Sequence, residues 1–176
     1  PIRRHAGVLR VPSWTGSSEM KKRIVLAILG LLVTSPALSY DVALAERFAQ
    51  FYEPFAGKAC SKSMQMMKPE VFVAAIRSEH KLFVLDVRTK EESAIYGITA
   101  ANSMSIPMTQ VFTKEILDKL PTDRKIVVVC PTGHRATAVS MGLRQIGFEK
   151  VFVLKGGFVK LAQFLNPKTV YMPPKT

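Results

Sequence analysis

The sequence predicts an α/β fold with a mainly parallel β-sheet and helices on both faces of the sheet. Apolar runs typical of buried strands alternate with segments of helical period over residues 68–166. The clearest run, Ile126 to Val129, contains only apolar, β-branched residues, as expected for a strand covered on both sides. Ligands of such sheets bind outside the carboxyl ends of the strands.

The first half of this region is predicted from its apolar pattern and its prolines. Residues 46–62 precede it and are predicted to form a short, interrupted amphipathic helix whose aromatic side chains cover a core. Pro69 suits the first turn of a helix that reaches Glu79. The period then changes, and two strands are expected, at residues 82–85 and 104–106.

The second half repeats the alternation of helix and strand. One helical face is expected over residues 112–120, and a second helix over residues 136–146, with Val139, Leu143 and Ile146 directed inward. A glycine that suits the C′ position follows this second helix. The remaining elements before the polar tail are a strand and a helix, at residues 151–154 and 159–165.

The charge of the chain does not indicate a nucleic-acid-binding protein. The formal net charge of the 176 residues is +12, but six of the 25 basic residues and only one of the 13 acidic residues lie within residues 1–39. The remaining basic residues are scattered singly or in pairs, with no basic stripe interleaved with aromatics. No nucleic-acid partner is therefore expected.

A targeting segment is predicted near the start of the chain. Met20 is followed by three basic residues, by an apolar run from Ile24 to Val33 and by small residues, which is the pattern of a secretory signal peptide over residues 20–39. Cleavage is expected there or as late as residue 45. The run is too short to span a bilayer, so we expect no stable membrane span after cleavage. We expect the protein to be exported to the bacterial periplasm.

The chain is thus divided into five parts. Residues 1–19 carry no periodicity and precede a methionine that opens a signal peptide, so they are interpreted as upstream sequence. The other parts are the signal peptide, an N-terminal extension, a single folded domain and a tail, at residues 20–39, 40–67, 68–166 and 167–176.

The loop between the clearest strand and the following helix carries the most chemical information. It reads Cys130-Pro131-Thr132-Gly133-His134-Arg135. Free backbone N–H groups at a helix N-terminus bind anions and favour a thiolate. Gly133 can adopt the positive φ that such a loop needs, and Arg135 adds a permanent positive charge. Taken alone, a cysteine at the end of a buried strand is more often an inert core residue.

Three motifs together make the region from Lys68 to Asn166 resemble a rhodanese-like domain. They are Leu85-Asp86-Val87-Arg88 with Glu91-Glu92 beyond it, the loop from Cys130 to Arg135, and Leu154-Lys155-Gly156-Gly157-Phe158 after the last strand. With the predicted export, the resemblance is to single-domain thiosulfate sulfurtransferases.

The resemblance implies a ping-pong sulfur transfer. Cys130 would take sulfane sulfur from thiosulfate or a similar small sulfur anion, hold it as a persulfide and pass it to cyanide or a thiol, with no metal and no organic cofactor. Arg135 would orient the donor, while Asp86 and Arg88 are expected to pair structurally beneath the loop. The expected substrate-binding residues are Pro131, Thr132, Gly133, His134, Arg135 and Ala136, with the amides of Thr132 through Ala136 around the sulfur.

One segment departs from the family's pattern. Where the family usually has G-H-I-P-G-A before a strand, this chain reads Gly97-Ile98-Thr99-Ala100-Ala101-Asn102-Ser103, which is one residue longer and lacks the histidine. The segment lies near the entrance of the site in the family, so the donor and acceptor preferences stay open.

Three alternatives remain at this point. A cysteine-dependent phosphatase or arsenate reductase uses a similar anion loop, but its signature is C-x5-R, whereas this loop is C-x4-R. A non-catalytic rhodanese-like binding or sulfide-sensing module is the second alternative. The third alternative is thiol redox chemistry with Cys60, the only other cysteine, which could form a disulfide with Cys130 or transiently resolve its persulfide. The sequence does not determine the oligomeric state.

Overall fold

The computed structural model describes residues 39–77 and 82–170. The predicted upstream segment, all but the last residue of the predicted signal peptide and the end of the tail lie outside these residues. The chain divides into two units, Pro1–Val42 and Ala43–Thr176, and the second contains the sheet and the site. No helix in the described ranges is long and apolar enough to cross a membrane.

A five-stranded sheet forms the centre of the second unit. All strand pairs are parallel, and the strand order is β1-β5-β4-β2-β3. The predicted α/β fold with a parallel sheet is therefore confirmed. The strands are β1 (Met66–Met67), β2 (Leu82–Asp86), β3 (Ser103–Ser105), β4 (Lys125–Val129) and β5 (Val151–Leu154).

Eight helices and three 3-10 turns accompany these strands within the described ranges. The helices are α1 (Val42–Tyr52), α2 (Cys60–Ser63), α3 (Pro69–Arg77), α4 (Lys90–Ile95), α5 (Lys114–Leu117), α6 (His134–Gln145), α7 (Gly157–Phe164) and α8 (Pro167–Val170). The 3-10 turns are Glu53–Phe55, Gly57–Ala59 and Met108–Gln110.

Both faces of the sheet are covered, as predicted. Successive side chains of a strand point to opposite faces, and Val127 and Val128 of β4 accordingly belong to two different buried clusters. Val139 of α6 packs into the cluster of Val128. Leu161 of α7 and Phe72 of α3 pack into the cluster of Val127. The core thus lies in two layers, one on each side of β4.

Two predicted details of these elements are wrong. Ile146 does not face inward but is 49% exposed, because α6 ends at Gln145 and Ile146 no longer follows the helical face. The helix expected over residues 112–120 is only the single turn α5. Phe112 lies before that turn and is largely exposed, and the chain there is held by short-range turns rather than by a continuous helix.

Three of these strands and helices were not predicted from the sequence: β1, α4 and α8, of which α8 lies in the predicted tail. β1 is only two residues long and lies within the predicted N-terminal extension, where it pairs with β5 at the edge of the sheet. α4 has no apolar periodicity and begins at Lys90, shortly after β2 ends at Asp86. In addition, β3 begins and ends one residue before the expected strand.

The aromatic side chains before β1 do not cover the core in the way that the sequence predicts. No residue of α1 is buried. Phe51 and Phe55 pack against one another and against the guanidinium group of Arg144, at 5.0 Å and 5.6 Å from the two ring centroids. The aromatic residues therefore form a half-exposed cluster around an arginine of α6.

Candidate functional site

The candidate site lies at the carboxyl end of the sheet, where β2 and β4 end side by side. Asp86, the last residue of β2, is the register partner of Val129, the last residue of β4. Cys130 follows immediately, and the chain turns into α6 at His134. The parallel register therefore brings two of the family motifs, separated by more than forty positions in the sequence, to the same edge of the sheet.

Two backbone amides point at the sulfur of Cys130. The N–H of Gly133 donates to Sγ at 3.1 Å, and the N–H of Ala136 donates at 3.4 Å. Gly133 adopts a φ of 101°, a conformation that residues other than glycine rarely adopt. Both donors lie at the N-terminus of α6, where Gly133 is the N-cap residue and the helix dipole adds positive potential. The arrangement favours negative charge on the sulfur.

The residues of the loop differ in their access to solvent. Cys130 is only 1% exposed, and Gly133 and Ala136 are also buried. Thr132 and His134 are exposed, and their side chains lie 2.9 Å apart between Oγ1 and Nδ1. Among the predicted substrate-binding residues, these two face the solvent.

The start of α7 holds the loop from the other side. The N–H of Phe158 donates to the carbonyl oxygen of Cys130 at 2.9 Å, and the N–H of Val159 donates to that of Pro131 at 3.0 Å. Gly157 lies so close that a Cβ atom there would be 2.1 Å from the carbonyl oxygen of Cys130. Gly157 of the third motif thus has a structural role in packing against the loop.

Asp86 and Arg88 form a buried ion pair next to this loop. The guanidinium Nη2 of Arg88 lies 2.8 Å from Oδ2 of Asp86, with the two side chains 1% and 5% exposed. Arg88 also donates to the carbonyl oxygen of Tyr96 at 2.7 Å and lies 3.7 Å from the ring centroid of Phe158. Neither side chain makes a hydrogen bond to Cys130, so the pair supports the site through Phe158.

Arg135 is paired with Glu92, a residue of the first motif for which no role was predicted from the sequence. Nη1 and Nη2 of Arg135 donate to the two carboxylate oxygens of Glu92, at 2.8 Å and 2.7 Å. The hydrogen bonds from Arg135 and from the N–H of Thr89 lower the pKa of Glu92 from 4.5 to about 2. The Glu92 carboxylate in turn raises the pKa of Arg135.

A local sequence signal could have located Glu92. Thr89 caps α4 by accepting the N–H of Glu92, and the Glu92 carboxylate accepts the N–H of Thr89 at 2.8 Å. This capping box is encoded by the T-x-x-E pattern of Thr89 and Glu92. The pattern identifies the helix start, but it does not indicate the contact with Arg135, which lies 43 positions away.

Both cysteines are free thiols in the structure. Cys60 begins α2 and is exposed, whereas Cys130 is buried. Within residues 39–77 and 82–170, no cluster of three or more histidine, cysteine, aspartate or glutamate side chains could hold a metal ion.

Comparisons with known proteins agree with the motifs. The model of the rhodanese-like domain family matches residues 69–163. A Mycobacterium tuberculosis protein named "Probable adenylyltransferase/sulfurtransferase MoeZ" is 32% identical over 124 residues, which is 68% of this chain and 31% of that protein. The chain therefore spans about a third of the length of this relative.

Solved structures show the same fold. A rhodanese-related protein from Thermoplasma volcanium is 27% identical with a TM-score of 0.50, covering 58% of this chain and 95% of that one. A human single-domain sulfurtransferase has 16% identity and a TM-score of 0.50, covering 58% and 98% of the two chains, and supports the fold alone. The family match, the parallel sheet and the cysteine loop agree, and the chain belongs to the rhodanese-like domain family.

Proposed function

We propose that this protein is a sulfurtransferase in which Cys130 carries sulfane sulfur as a persulfide. The observation that carries the proposal is the pair of amides, from Gly133 and Ala136, that donate to Sγ of Cys130. Donors aimed at a sulfur stabilise the anion that a nucleophilic thiol must become. The same donors stabilise the anionic persulfide.

In the first half-reaction the Cys130 thiolate attacks the outer sulfur of thiosulfate or of a similar donor. A new S–S bond forms at Cys130, the bond between the outer sulfur and the donor breaks, and the electron pair leaves with sulfite when the donor is thiosulfate. The negative charge that reached the site on the thiolate is carried afterwards by the persulfide. Because the N-terminus of α6 faces this charge before and after the transfer, it needs no rearrangement during the step.

In the second half-reaction an acceptor removes the outer sulfur. Cyanide or a thiolate attacks that sulfur, the S–S bond to Cys130 breaks, and the electron pair returns to the thiolate of Cys130. The products are thiocyanate or a new persulfide. Protein residues supply only a nucleophile and hydrogen-bond donors, so the cycle requires no group beyond the described loop.

Two alternatives are less well supported. A phosphatase must surround three equatorial oxygens of a phosphoryl group, and this loop has one residue fewer than the C-x5-R phosphatase loop. A non-catalytic binding module does not require a cysteine with two amide donors on its sulfur, yet this chain has one. Sulfur transfer uses both the residue type and its geometry.

The experiment that tests the proposal compares two reactions of one preparation. Residues 40–176 are incubated with thiosulfate and cyanide, and thiocyanate is measured; in parallel, an aryl phosphate is offered and phosphate release is measured. We expect thiocyanate formation that Cys130→Ser abolishes, and no phosphate release. Phosphate release that depends on Cys130, without thiocyanate formation from thiosulfate or any persulfide donor, would overturn the proposal in favour of a phosphatase.

We also propose that the protein acts after export, as the segment from Met20 to Ser39 predicts. Fusing residues 20–45 to a reporter that is active only outside the cytoplasm tests this. Reporter activity that is lost when Lys21, Lys22 and Arg23 are replaced by glutamate supports export. An inactive, uncleaved fusion would contradict it.

A further inference from the structure

The ion pair between Glu92 and Arg135 sets the charge beside the loop. Arg135 is the only residue with a permanent charge in the segment from Cys130 to Ala136, so it is the residue expected to attract an anionic sulfur donor. Both of its terminal nitrogens are occupied by Glu92, at 2.8 Å and 2.7 Å. The bidentate geometry fixes the guanidinium plane and cancels its charge locally.

Glu92 is held in place independently of Arg135. Its carboxylate accepts the N–H of Thr89 at 2.8 Å in the capping box of α4, and its own carbonyl oxygen accepts a bond from Arg88 at 3.4 Å. Arg88 is in turn fixed by the buried Asp86. The carboxylate is therefore a preorganised partner for Arg135, positioned by β2 and α4 rather than by α6.

Both members of the pair are ionised at neutral pH. The pKa of Glu92 lies at about 2, and that of Arg135 is raised above its already high ordinary value. The side chains of Glu92 and Arg135 are 37% and 33% exposed, so the pair is accessible from solvent. Above about pH 4.5 the pair therefore adds no net charge to the site.

We propose that Glu92 is a specificity-determining residue that, by neutralising Arg135, makes the site favour singly charged organic persulfides over the thiosulfate dianion as sulfur donors. This inference rests on the proposed role of Cys130 as a sulfur carrier. A thiosulfate dianion loses strong hydration when it approaches a buried thiolate, and a free guanidinium would offset that cost. Here the guanidinium is already engaged by Glu92.

A singly charged persulfide avoids most of this cost. The Cys130 thiolate attacks the terminal sulfur of the organic persulfide, the S–S bond within the donor breaks, and the electron pair leaves on the organic thiolate. The charge on Cys130 is then carried by its own persulfide, and only one charge is expelled rather than two. The two amide donors on Sγ suffice for this step.

The test uses Glu92→Gln, which removes the charge of the residue but keeps a side chain that can complete the capping box. The kcat/KM for loading Cys130 is measured with thiosulfate and with 2-hydroxyethyl persulfide. We expect the ratio of thiosulfate to persulfide use to rise about tenfold in the variant, since one negative charge near the donor has been removed. An unchanged ratio would overturn the inference.

Replacing the other end of the pair gives an independent measurement. Arg135→Gln leaves the Glu92 carboxylate without its cation, so the ratio of thiosulfate to persulfide use should fall below the wild-type ratio. In the double variant, Glu92→Gln with Arg135→Gln, this ratio should return toward the wild-type value. If the pair were only structural, both single variants would slow both donors alike, and the ratio would not move. Thr89→Ala is the matched control, because it breaks the cap of α4 but keeps both charges.

The outcomes separate this inference from the proposed function. If the wild-type protein accepts sulfur on Cys130 from both donors and the ratio is the same in all variants, only the role of Glu92 is wrong. If no donor loads Cys130 in the wild type, the proposed function is wrong and the inference fails with it. Should Glu92→Gln fail to fold, the double variant decides: a thiosulfate-to-persulfide ratio that stays as low as that of Arg135→Gln would overturn the role of Glu92.

Discussion

Gly157 packs against Cys130 so closely that a Cβ atom on it would lie 2.1 Å from the carbonyl oxygen of Cys130 and 2.6 Å from that of Pro131. Its φ is 57°, in the left-handed region. Gly157→Ala must therefore displace the backbone of the cysteine loop. We expect a loss of at least about 2 kcal/mol in the free energy of unfolding and a larger loss of sulfur transfer.

The matched control for this variant is Gly57→Ala. Gly57 has a nearly equal φ of 53°, but no atom lies within 4 Å of the place where its Cβ would be. It therefore measures the cost of the left-handed conformation alone, about 1 kcal/mol. Chemical denaturation of both variants, followed by a thiosulfate assay, checks the prediction. Equal stability and full activity in both would show that the loop tolerates displacement.

The buried pair of Asp86 and Arg88 is expected to matter for folding and not for chemistry. Arg88→Met leaves the carboxylate of Asp86 buried without its cation, which typically costs about 3–5 kcal/mol. Arg124→Met, which breaks an exposed pair with Asp123, is the control and should leave the melting temperature nearly unchanged.

Activity measurements separate this role from a catalytic one. At a temperature where Arg88→Met is folded, its Cys130 should still accept sulfur, because Arg88 makes no hydrogen bond to Sγ and contacts the neighbours of the loop, Phe158 and Glu92, rather than the cysteine. A fully folded Arg88→Met protein that accepts no sulfur would contradict the structural role.

The pair of Glu92 and Arg135 predicts a particular pH dependence of stability. The pKa of Glu92 is lowered from 4.5 to about 2 in the folded protein, so the ionised carboxylate stabilises the fold fully above about pH 4.5, and this stabilisation is lost as the pH falls through about 2. The difference in unfolding free energy between wild type and Glu92→Gln should therefore be constant from pH 7 to about pH 5 and shrink below it.

The control for this measurement is Glu115→Gln. Glu115 pairs with Lys119 on the surface, where the carboxylate is 77% exposed, and the hydrogen bond from Lys119 lowers the pKa of Glu115. Its substitution should change stability less than Glu92→Gln at every pH, because solvent screens the exposed pair. A difference in unfolding free energy between wild type and Glu92→Gln that grows as the pH falls would contradict this prediction.

Cys60 is expected to take no part in sulfur transfer. It is exposed on α2, while Cys130 is buried, and both are free. In the native protein a bulky maleimide should label Cys60 at least about ten times faster than Cys130, and the difference should vanish in denaturant. Cys60→Ser should retain full transfer from thiosulfate to cyanide. If Cys60→Ser instead accumulates a persulfide on Cys130 and does not release it, Cys60 would be identified as a resolving thiol.

The elements with strong local patterns were predicted correctly from the sequence. Residues 126–129 of β4 are a continuous apolar run, and α6 begins after a glycine in the loop, so both the core strand and the position of Cys130 follow from short-range information. The motif resemblance added that Asp86 and Arg88 belong near this loop. These features depend on periodicity and on residue types within a few positions of one another.

The remaining features depend on contacts between distant residues. β1 is a two-residue strand that exists only because β5 offers an edge, and no pattern of two residues predicts a strand. The pairing of Glu92 with Arg135 joins α4 to α6 across the parallel register of β2 and β4. The outward position of Ile146 follows from where α6 ends, and element boundaries are poorly determined by periodicity.

The measurement that bears most directly on Cys130 as the sulfur carrier is the intact mass of the protein after exposure to donors. Wild-type protein incubated with thiosulfate or 2-hydroxyethyl persulfide should gain the mass of one sulfur atom, located on the peptide containing Cys130 and removed by cyanide. Cys130→Ser should gain none, and Cys60→Ser should gain as much as the wild type. A sulfur atom found on Cys60, or on no cysteine with either donor, would contradict the role of the Cys130 loop.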